Sequence, residues 1–208
     1  MQEESDNMNL NILIAGVGGQ GNLFASSILA EFFSNKGYRV LAVETIGAAQ
    51  RGGSVVSHLR VSDSEIYSPL IPAGKVDILI GFEILEMLRN FQLLSADGSY
   101  LLNDYKEPTV LCNMEMDTYP SDEMIMAALQ KSGKKGYTIK ATECARQIGG
   151  SLLTNVVMVG ALCQLSPLFN RQEVRQVLAG KSPPKVRDLN LKAFDAGGSL
   201  ISEAIRQP

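Results

Sequence analysis

The chain alternates short apolar runs with longer segments in which apolar residues recur every three or four positions. The first run, residues 10–15 (LNILIA), is almost continuously apolar, which is typical of a strand buried on both faces of a sheet. The pattern predicts further strands at residues 39–44, 54–61, 76–81, 99–103 and 137–140. Strands and helices therefore alternate through the first two thirds of the chain.

The helical periodicity completes this picture. It predicts helices over residues 22–35, 83–94, 121–132, 142–149, 155–165, 170–179 and 186–205. This order of elements predicts an α/β protein with a Rossmann-like, doubly wound, mostly parallel sheet and a helical C-terminal portion. Residues 54–61, together with 64–68, predict an extra β-hairpin or edge segment. We expect a disordered tail over residues 1–9 and a single domain over residues 10–208.

Composition narrows the function classes. The 208 residues are 45% hydrophobic and 20% charged, with a formal net charge of -3, as in an ordinary globular protein. The sequence has no basic patch of the kind that binds nucleic acid. Its apolar stretches are also too short to predict a membrane span. The polar N-terminus lacks the apolar core of a secretory signal, so we expect a cytoplasmic protein. Cys112, Cys144 and Cys163 have no C-x-x-C spacing, which argues against a metal site or a cluster.

A glycine-rich segment follows the first strand. Gly16, Gly18 and Gly21 fit the pattern G-x-G-x-x-G between a strand and a helix, and Glu44 ends the second strand where a ribose-binding carboxylate would lie. The pattern predicts nucleotide binding, unless the glycines serve only a steep turn. Gln20 and the extra Gly19 change the picture, because a bulky amide suits a mixed polar ligand or another chain.

A second polar segment follows the second strand. Residues 45–53 predict a loop that contains Gln50, Arg51, Gly52 and Gly53. At the carboxyl edge of a doubly wound sheet this loop would lie near Gly16 to Gly21. Arg51 could bind a carboxylate or a phosphate there, or it could be an exposed surface residue.

Two other polar residues have alternative interpretations. Glu83, at the end of a predicted strand, is either a carboxylate of the same crevice or, as we favour, a first-turn helix acid. His58, the only histidine, lies in an alternating strand, where neither a metal site nor general-base catalysis is expected.

The motifs together resemble a known family. The segments GVGGQG, GAAQRGGSVVSHLR, SPLIPAGKVDILIGFEILEMLR and TNVVMVGAL resemble the gamma subunit or domain of 2-oxoacid:ferredoxin oxidoreductases. AQRGGSVVSH with SPLIP and the later PPKVRDLNLKAF looks most like the indolepyruvate type. The resemblance covers nearly the whole chain, from about residue 10 to about residue 194.

The resemblance implies a subunit of a larger enzyme. In that family thiamine diphosphate attacks the 2-oxo carbon, iron–sulfur clusters pass electrons to ferredoxin, and coenzyme A accepts the acyl group. This chain has neither a cysteine cluster nor a G-D-G motif with a downstream Asn, so a larger partner subunit is expected to hold thiamine diphosphate, Mg²⁺ and the clusters. No catalytic residue and no metal ligand is predicted here, and the chain alone is not expected to be active.

The resemblance also assigns a ligand-binding wall to this chain, where it would complete the active-site cleft and help to seat coenzyme A. The matching positions are Gly16, Gly18, Gly19, Gln20, Gly21, Gln50, Arg51, Gly52, Gly53 and Asn155. Asn155 could instead cap a helix. Two alternatives stay open: a gamma subunit for pyruvate, 2-oxoglutarate or a branched-chain 2-oxo acid, and a stand-alone Rossmann protein that binds NAD, FAD or coenzyme A.

Overall fold

A computed structural model describes residues 8–47, 52–108 and 118–206. Six strands form one sheet in the order β2-β3-β1-β4-β5-β6. The strands are β1 (Asn9–Val17), β2 (Arg39–Ile46), β3 (Ser54–Ser62), β4 (Val76–Gly81), β5 (Leu94–Asn103) and β6 (Lys135–Ile139). β1, β4, β5 and β6 pair in parallel, which confirms the predicted α/β fold with a mostly parallel sheet.

The extra hairpin differs in detail from the prediction. β3 runs antiparallel to both β1 and β2 and lies between them, so the hairpin consists of β2 and β3. The predicted pairing of residues 54–61 with 64–68 is wrong, because 64–68 contain no strand. The alternating apolar residues of β3 fit an interior position equally well, since both of its faces are covered.

The helices connect and cover the strands. They are α1 (Asn22–Asn35), α2 (Ile84–Asn90), α3 (Asp122–Ser132), α4 (Ala141–Ile148), α5 (Thr154–Leu165), α6 (Arg171–Lys181) and α7 (Arg187–Arg206). The helix predicted over 83–94 is shorter than expected. It ends at Asn90, a single 3₁₀ turn follows, and Leu94 already pairs with Val76 in the sheet. None of the helices in the described ranges is long and apolar enough to cross a membrane.

Each face of the sheet carries its own core. Alternate β1 side chains point to opposite faces, so Ile12 and Ile14 enter one core while Leu13 and Ala15 enter the other. The larger core includes residues of α1, α5 and α7, and the smaller one includes Met87 of α2 and Ile125 of α3. The two-sided burial accounts for the continuous apolar run of β1 in the sequence.

Two helices of the larger core approach each other very closely. A Cβ on Gly160 of α5 would lie 2.0 Å from the Phe194 carbonyl oxygen, and a Cβ on Gly197 of α7 would lie 2.0 Å from the Val157 carbonyl oxygen. Glycine at both positions therefore lets the two backbones touch. The close contact fixes α5, whose first turn reaches the carboxyl end of the sheet.

Candidate functional site

The glycine loop, residues 16–21, follows the carboxyl end of β1 and is held by hydrogen bonds to the Gln20 side chain, to its own backbone and to the β2–β3 loop. Val17 N donates to Gln20 Oε1 at 2.9 Å, and Gln20 N donates to the Val17 carbonyl at 3.1 Å. Gly18 N donates to the Gly53 carbonyl at 2.8 Å. The N–H groups of Val17, Gly18 and Gln20 are therefore used within the protein.

Gly21 ends the loop as the residue before α1. Its φ of 85° lies in the left-handed region, which glycine adopts at little cost. Asn155 Nδ2 donates to the Gly21 carbonyl at 3.3 Å, and Asn155 Oδ1 accepts from Val156 N at 2.7 Å. Asn155 lies inside the first turn of α5, not at its cap, and it joins the starts of two helices.

The β2–β3 loop lies against the glycine loop, as predicted. Besides the Gly18–Gly53 bond, Gly52 N donates to the Gly18 carbonyl at 3.4 Å. The predicted neighbourhood is thus confirmed for Gly52 and Gly53. Gln50 and Arg51 lie outside the described residues.

The glycine loop borders a crevice of about 190 Å³ at the carboxyl end of the sheet. Backbone glycines, an amide, a carboxylate and several hydroxyls surround it. Its lining residues are Gly18, Gly19, Gln20, Tyr105, Glu107, Thr142, Ser151, Leu152 and Thr154. The crevice has mixed polar character and opens beside Leu152, whose side chain is 78% exposed.

Glu107 is the site residue that sequence reasoning missed. It follows β5 in a connection without a motif, and its Oε2 accepts from Gln20 Nε2 at 2.8 Å. Gln20 is thereby held at both ends, by Val17 N and by Glu107. The only signal in the sequence was the position of Glu107 just beyond the carboxyl end of a strand, where ligand crevices form.

Two buried carboxylates stand behind the crevice. Glu83 Oε2 accepts from Glu86 N at 2.9 Å, so Glu83 is the N-cap of α2, one position before the first turn in which the favoured interpretation placed it. Its Oε1 accepts from Glu107 N at 3.1 Å and from the Tyr119 hydroxyl. Burial raises the pKa of Glu83, although the Tyr119 hydroxyl and the two N–H groups oppose that rise. Glu83 thus positions the backbone of Glu107.

Glu86, also fully buried, supports the opposite side. Its Oε2 accepts from Ser54 Oγ at 2.5 Å, and its Oε1 accepts from Arg89 Nη1 at 2.6 Å. Ser54 directly follows Gly53, so Glu86 anchors the loop that borders the glycine loop. A sequence signal existed, because Glu86 interrupts an otherwise apolar run in α2.

A buried hydrogen-bond network forms the floor of the crevice. Asn103, at the end of β5, donates from Nδ2 to the Phe82 carbonyl at 2.9 Å and to Thr142 Oγ1 at 2.8 Å. The hydroxyl oxygens of Thr154 and Thr142 are in turn hydrogen-bonded at 3.2 Å. Strand ends and helix starts are therefore tied together without a charged group.

Two residues weighed in the sequence lie away from the crevice. Glu44 accepts from Ser57 Oγ at 2.9 Å, and β3 separates its strand from β1. In a dinucleotide-binding unit the strand with the ribose carboxylate is next to β1, so Glu44 is out of place for that role. His58 Nδ1 accepts from Ile71 N at 3.3 Å, and burial lowers its pKa, which indicates a neutral core histidine.

Comparison with known proteins identifies the family. Residues 11–200 match the family described as pyruvate ferredoxin/flavodoxin oxidoreductase. The chain belongs to this family. The indolepyruvate oxidoreductase subunit IorB of Pyrococcus horikoshii is 37% identical over 94% of this chain and 97% of its own. The 2-oxoglutarate synthase subunit KorC of Methanothermobacter marburgensis is 26% identical over 94% and 98%, respectively.

A solved structure confirms the fold of this oxidoreductase family member. The gamma subunit of a keto/oxoacid ferredoxin oxidoreductase from Geobacter sulfurreducens superposes with a TM-score of 0.69 at 21% identity, covering 94% of this chain and 99% of the other. At that identity the likeness concerns the fold alone. The relatives are subunits of similar length, so the match extends across whole chains.

Metal-binding groups are sparse in the described part of this oxidoreductase subunit. No group of three His, Cys, Asp or Glu side chains there could hold a metal ion. Burial raises the pKa of Cys163 to about 12, so its thiol is not a ready ligand. Cys144 lies on another helix, and Cys112 is outside the described residues.

Proposed function

We propose that this chain is the small subunit of an indolepyruvate-type 2-oxoacid:ferredoxin oxidoreductase, which converts an aryl 2-oxo acid to an acyl-coenzyme A and reduces ferredoxin. One observation carries the proposal: the relative named for indolepyruvate is 37% identical and the one named for 2-oxoglutarate is 26% identical, at equal coverage. A subunit for another 2-oxo acid is the second candidate, because KorC belongs to the same set of relatives.

The proposal assigns the redox chemistry to a larger partner subunit. Thiamine diphosphate, Mg²⁺ and the iron–sulfur clusters would be bound there, and ferredoxin would dock on the assembled complex. The scarcity of metal-binding groups among the described residues supports this division.

This chain would contribute one wall of the shared cleft. The glycine loop, Gly52, Gly53 and Asn155 lie together at the carboxyl end of the sheet, where α/β proteins bind ligands. Gln50 and Arg51 belong to the same loop in sequence and complete the proposed set. We assign this wall to coenzyme A, which is a substrate that both subunits would contact.

An apolar rim supports a subunit contact at this end. Leu152, which lines the crevice, and Leu23, the second residue of α1, are 78% and 65% exposed. Large exposed apolar side chains around a polar site are typical of a surface that another protein covers.

Reconstitution tests the proposal. The chain and its partner, co-produced and co-purified, should reduce ferredoxin with indolepyruvate and coenzyme A, and more slowly with pyruvate or 2-oxoglutarate. Leu152→Asp should weaken assembly, whereas Leu168→Asp should not, because Leu168 is exposed near the amino ends of the strands. Full activity of the partner without this chain would contradict the proposal, and faster turnover of 2-oxoglutarate would favour the second candidate.

A further inference from the structure

Two fully buried carboxylates belong to α2, Glu83 at its cap and Glu86 in its first turn. Glu83 has a structural role, because its Oε2 accepts from Glu86 N at 2.9 Å and caps the helix. The Glu86 carboxylate caps nothing, although Arg89 Nη1 donates to its Oε1 at 2.6 Å. Burial of a carboxylate costs free energy that an apolar side chain in the same helix would not, so stability alone does not account for Glu86.

Glu86 is tied to the first residue of β3. Its Oε2 accepts from Ser54 Oγ at 2.5 Å. Ser54 pairs with Val17 across the sheet, and this is the last pair of the β1–β3 ladder at its carboxyl end. The preceding residue, Gly53, accepts from Gly18 N at 2.8 Å. The Ser54 hydroxyl therefore fixes the point where the β2–β3 loop meets the sheet and the glycine loop.

Glu83 holds the opposite side of the glycine loop. Its Oε1 accepts from Glu107 N at 3.1 Å, and Glu107 Oε2 accepts from Gln20 Nε2 at 2.8 Å. Gln20 Oε1 in turn accepts from Val17 N at 2.9 Å. The two routes from α2 therefore end on neighbouring N–H groups, those of Val17 and Gly18. They form a closed ring of contacts, in which α2 sets the separation of the glycine loop and the β2–β3 loop.

We propose that Glu86 is a positioning residue, which acts through the Ser54 hydroxyl and sets the geometry of the cleft wall without contacting a ligand. The inference rests on the proposed function, in which this wall contacts coenzyme A. When the Ser54–Glu86 bond is removed, the glycine loop stays attached to Glu83 while the start of the β2–β3 loop shifts against it, and small misplacements of binding groups are costly. Gln50 and Arg51 belong to the same loop in sequence, so any ligand contact that they make depends on this anchor as well.

The purified complex tests this role through the kinetics of ferredoxin reduction, with indolepyruvate saturating and coenzyme A varied. Ser54→Ala removes the hydroxyl, and we expect the KM for coenzyme A to rise about tenfold, with kcat changed less. Ser54→Thr keeps the hydroxyl and should restore the wild-type KM. Glu86→Gln weakens the same bond, so it should raise KM less and should have no effect in the Ser54→Ala background.

Ser57→Ala is the matched control. Ser57, on the same strand, also donates to a glutamate, Glu44 at 2.9 Å, but this pair lies away from the crevice. The variant should leave both KM and kcat unchanged. An equal rise in KM for Ser54→Ala and Ser57→Ala would mean a general loosening of β3 and would overturn the positioning role. An unchanged KM in Ser54→Ala, or a raised KM that Ser54→Thr does not restore, would overturn it too.

Hydrogen exchange on the same complexes, followed by peptide mass spectrometry, gives a readout that does not depend on activity. The Gly18 amide is bonded to the Gly53 carbonyl, so peptides that contain residues 16–21 should exchange faster in Ser54→Ala and at the wild-type rate in Ser57→Ala. Unchanged exchange in Ser54→Ala would contradict the anchor. A wild-type complex whose ferredoxin reduction does not depend on coenzyme A would remove the proposed function, and the exchange rates would still decide whether Glu86 holds the loop.

Discussion

Asn155 and Gly21 are 134 positions apart in the chain, yet Asn155 Nδ2 lies 3.3 Å from the Gly21 carbonyl oxygen. A Cβ on Gly21 would lie 1.9 Å from the same Nδ2. The hydrogen bond and the absent side chain are therefore two parts of one arrangement, which fixes where the glycine loop enters α1.

This arrangement predicts a large cost for Gly21→Ala. The substitution strains a residue at φ 85° and collides with a buried side chain, so we expect a loss of about 2–4 kcal/mol in the free energy of unfolding. Gly37→Ala is the matched control, because Gly37 has φ 86° and open space around its Cβ position. Urea unfolding should show a loss of only about 1 kcal/mol there. Equal losses in the two variants would mean that the collision with Asn155 is relieved at no cost.

The α5–α7 contact predicts opposite effects on stability for two other glycine substitutions. Gly160→Ala places a Cβ 2.0 Å from the Phe194 carbonyl oxygen, so the helices must separate, at a cost of about 3 kcal/mol or more. Gly180→Ala, in α6, meets no atom within 4 Å and should stabilise the helix by about 0.5–1 kcal/mol. Thermal unfolding measures both. A stabilised Gly160→Ala would show that the two backbones are farther apart than described.

Glu83 predicts a pH dependence of stability. Because its pKa is raised above the ordinary 4.5, the folded protein keeps this proton at a pH where the unfolded chain has lost it. Its contribution to stability is therefore greatest below pH 4.5 and falls as the pH rises to the folded-state pKa. Urea unfolding of wild type and Glu83→Gln should be measured from pH 4 to 8. The free energy of unfolding of wild type, relative to that of the variant, should decrease over that interval.

Glu123 provides the control of opposite sign. It is exposed, and a hydrogen bond with the Ser121 side chain lowers its pKa. Its contribution to the free energy of unfolding is present above the ordinary pKa and is lost on acidification. Wild type should therefore lose stability relative to Glu123→Gln as the pH falls. If both substitutions changed the pH dependence of the free energy of unfolding in the same direction, the assigned cause of the Glu83 pKa shift would be wrong.

Cys163 predicts an inert thiol. With a pKa of about 12, about one molecule in ten thousand carries the thiolate at pH 8, and the side chain is buried. Iodoacetamide labelling followed by peptide mass spectrometry should leave Cys163 unmodified in the native protein and modify it in urea. Labelling in the native protein as fast as at Cys144 would contradict the burial of Cys163.

Local patterns predicted the fold well where one segment determines its own conformation. The apolar run of β1, the glycines at 16, 18 and 21, and the buried α5 were all recognisable in the sequence. The position of β3 between β1 and β2 could not be recognised, because an alternating pattern indicates a strand but not which strands it pairs with. That long-range pairing also removed Glu44 from the site.

The candidate site was predictable on the side that carries motifs and not on the other. Gly53 lies against Gly18 as expected, since both follow strand ends at the same edge. Glu107 and Glu86 act through contacts that the fold alone creates. The position of Glu107 after a strand and the apolar neighbours of Glu86 were the only local signals, and neither one indicates a partner. The pKa of Glu83, likewise, depends on burial that only tertiary packing provides.

The insertion of β3 has a consequence for the newly made chain. Both neighbours of β1 come later in the sequence, since Ile12 pairs with Leu59 and with Ile78. During synthesis β1 is therefore made before either of its neighbours, and it lacks a partner until β3 is complete at residue 62 and lacks its second neighbour until β4 is complete at residue 81. This order leaves the apolar side chains of β1 uncovered in the early chain, and the time needed to make residues 18–62 sets how long they stay so.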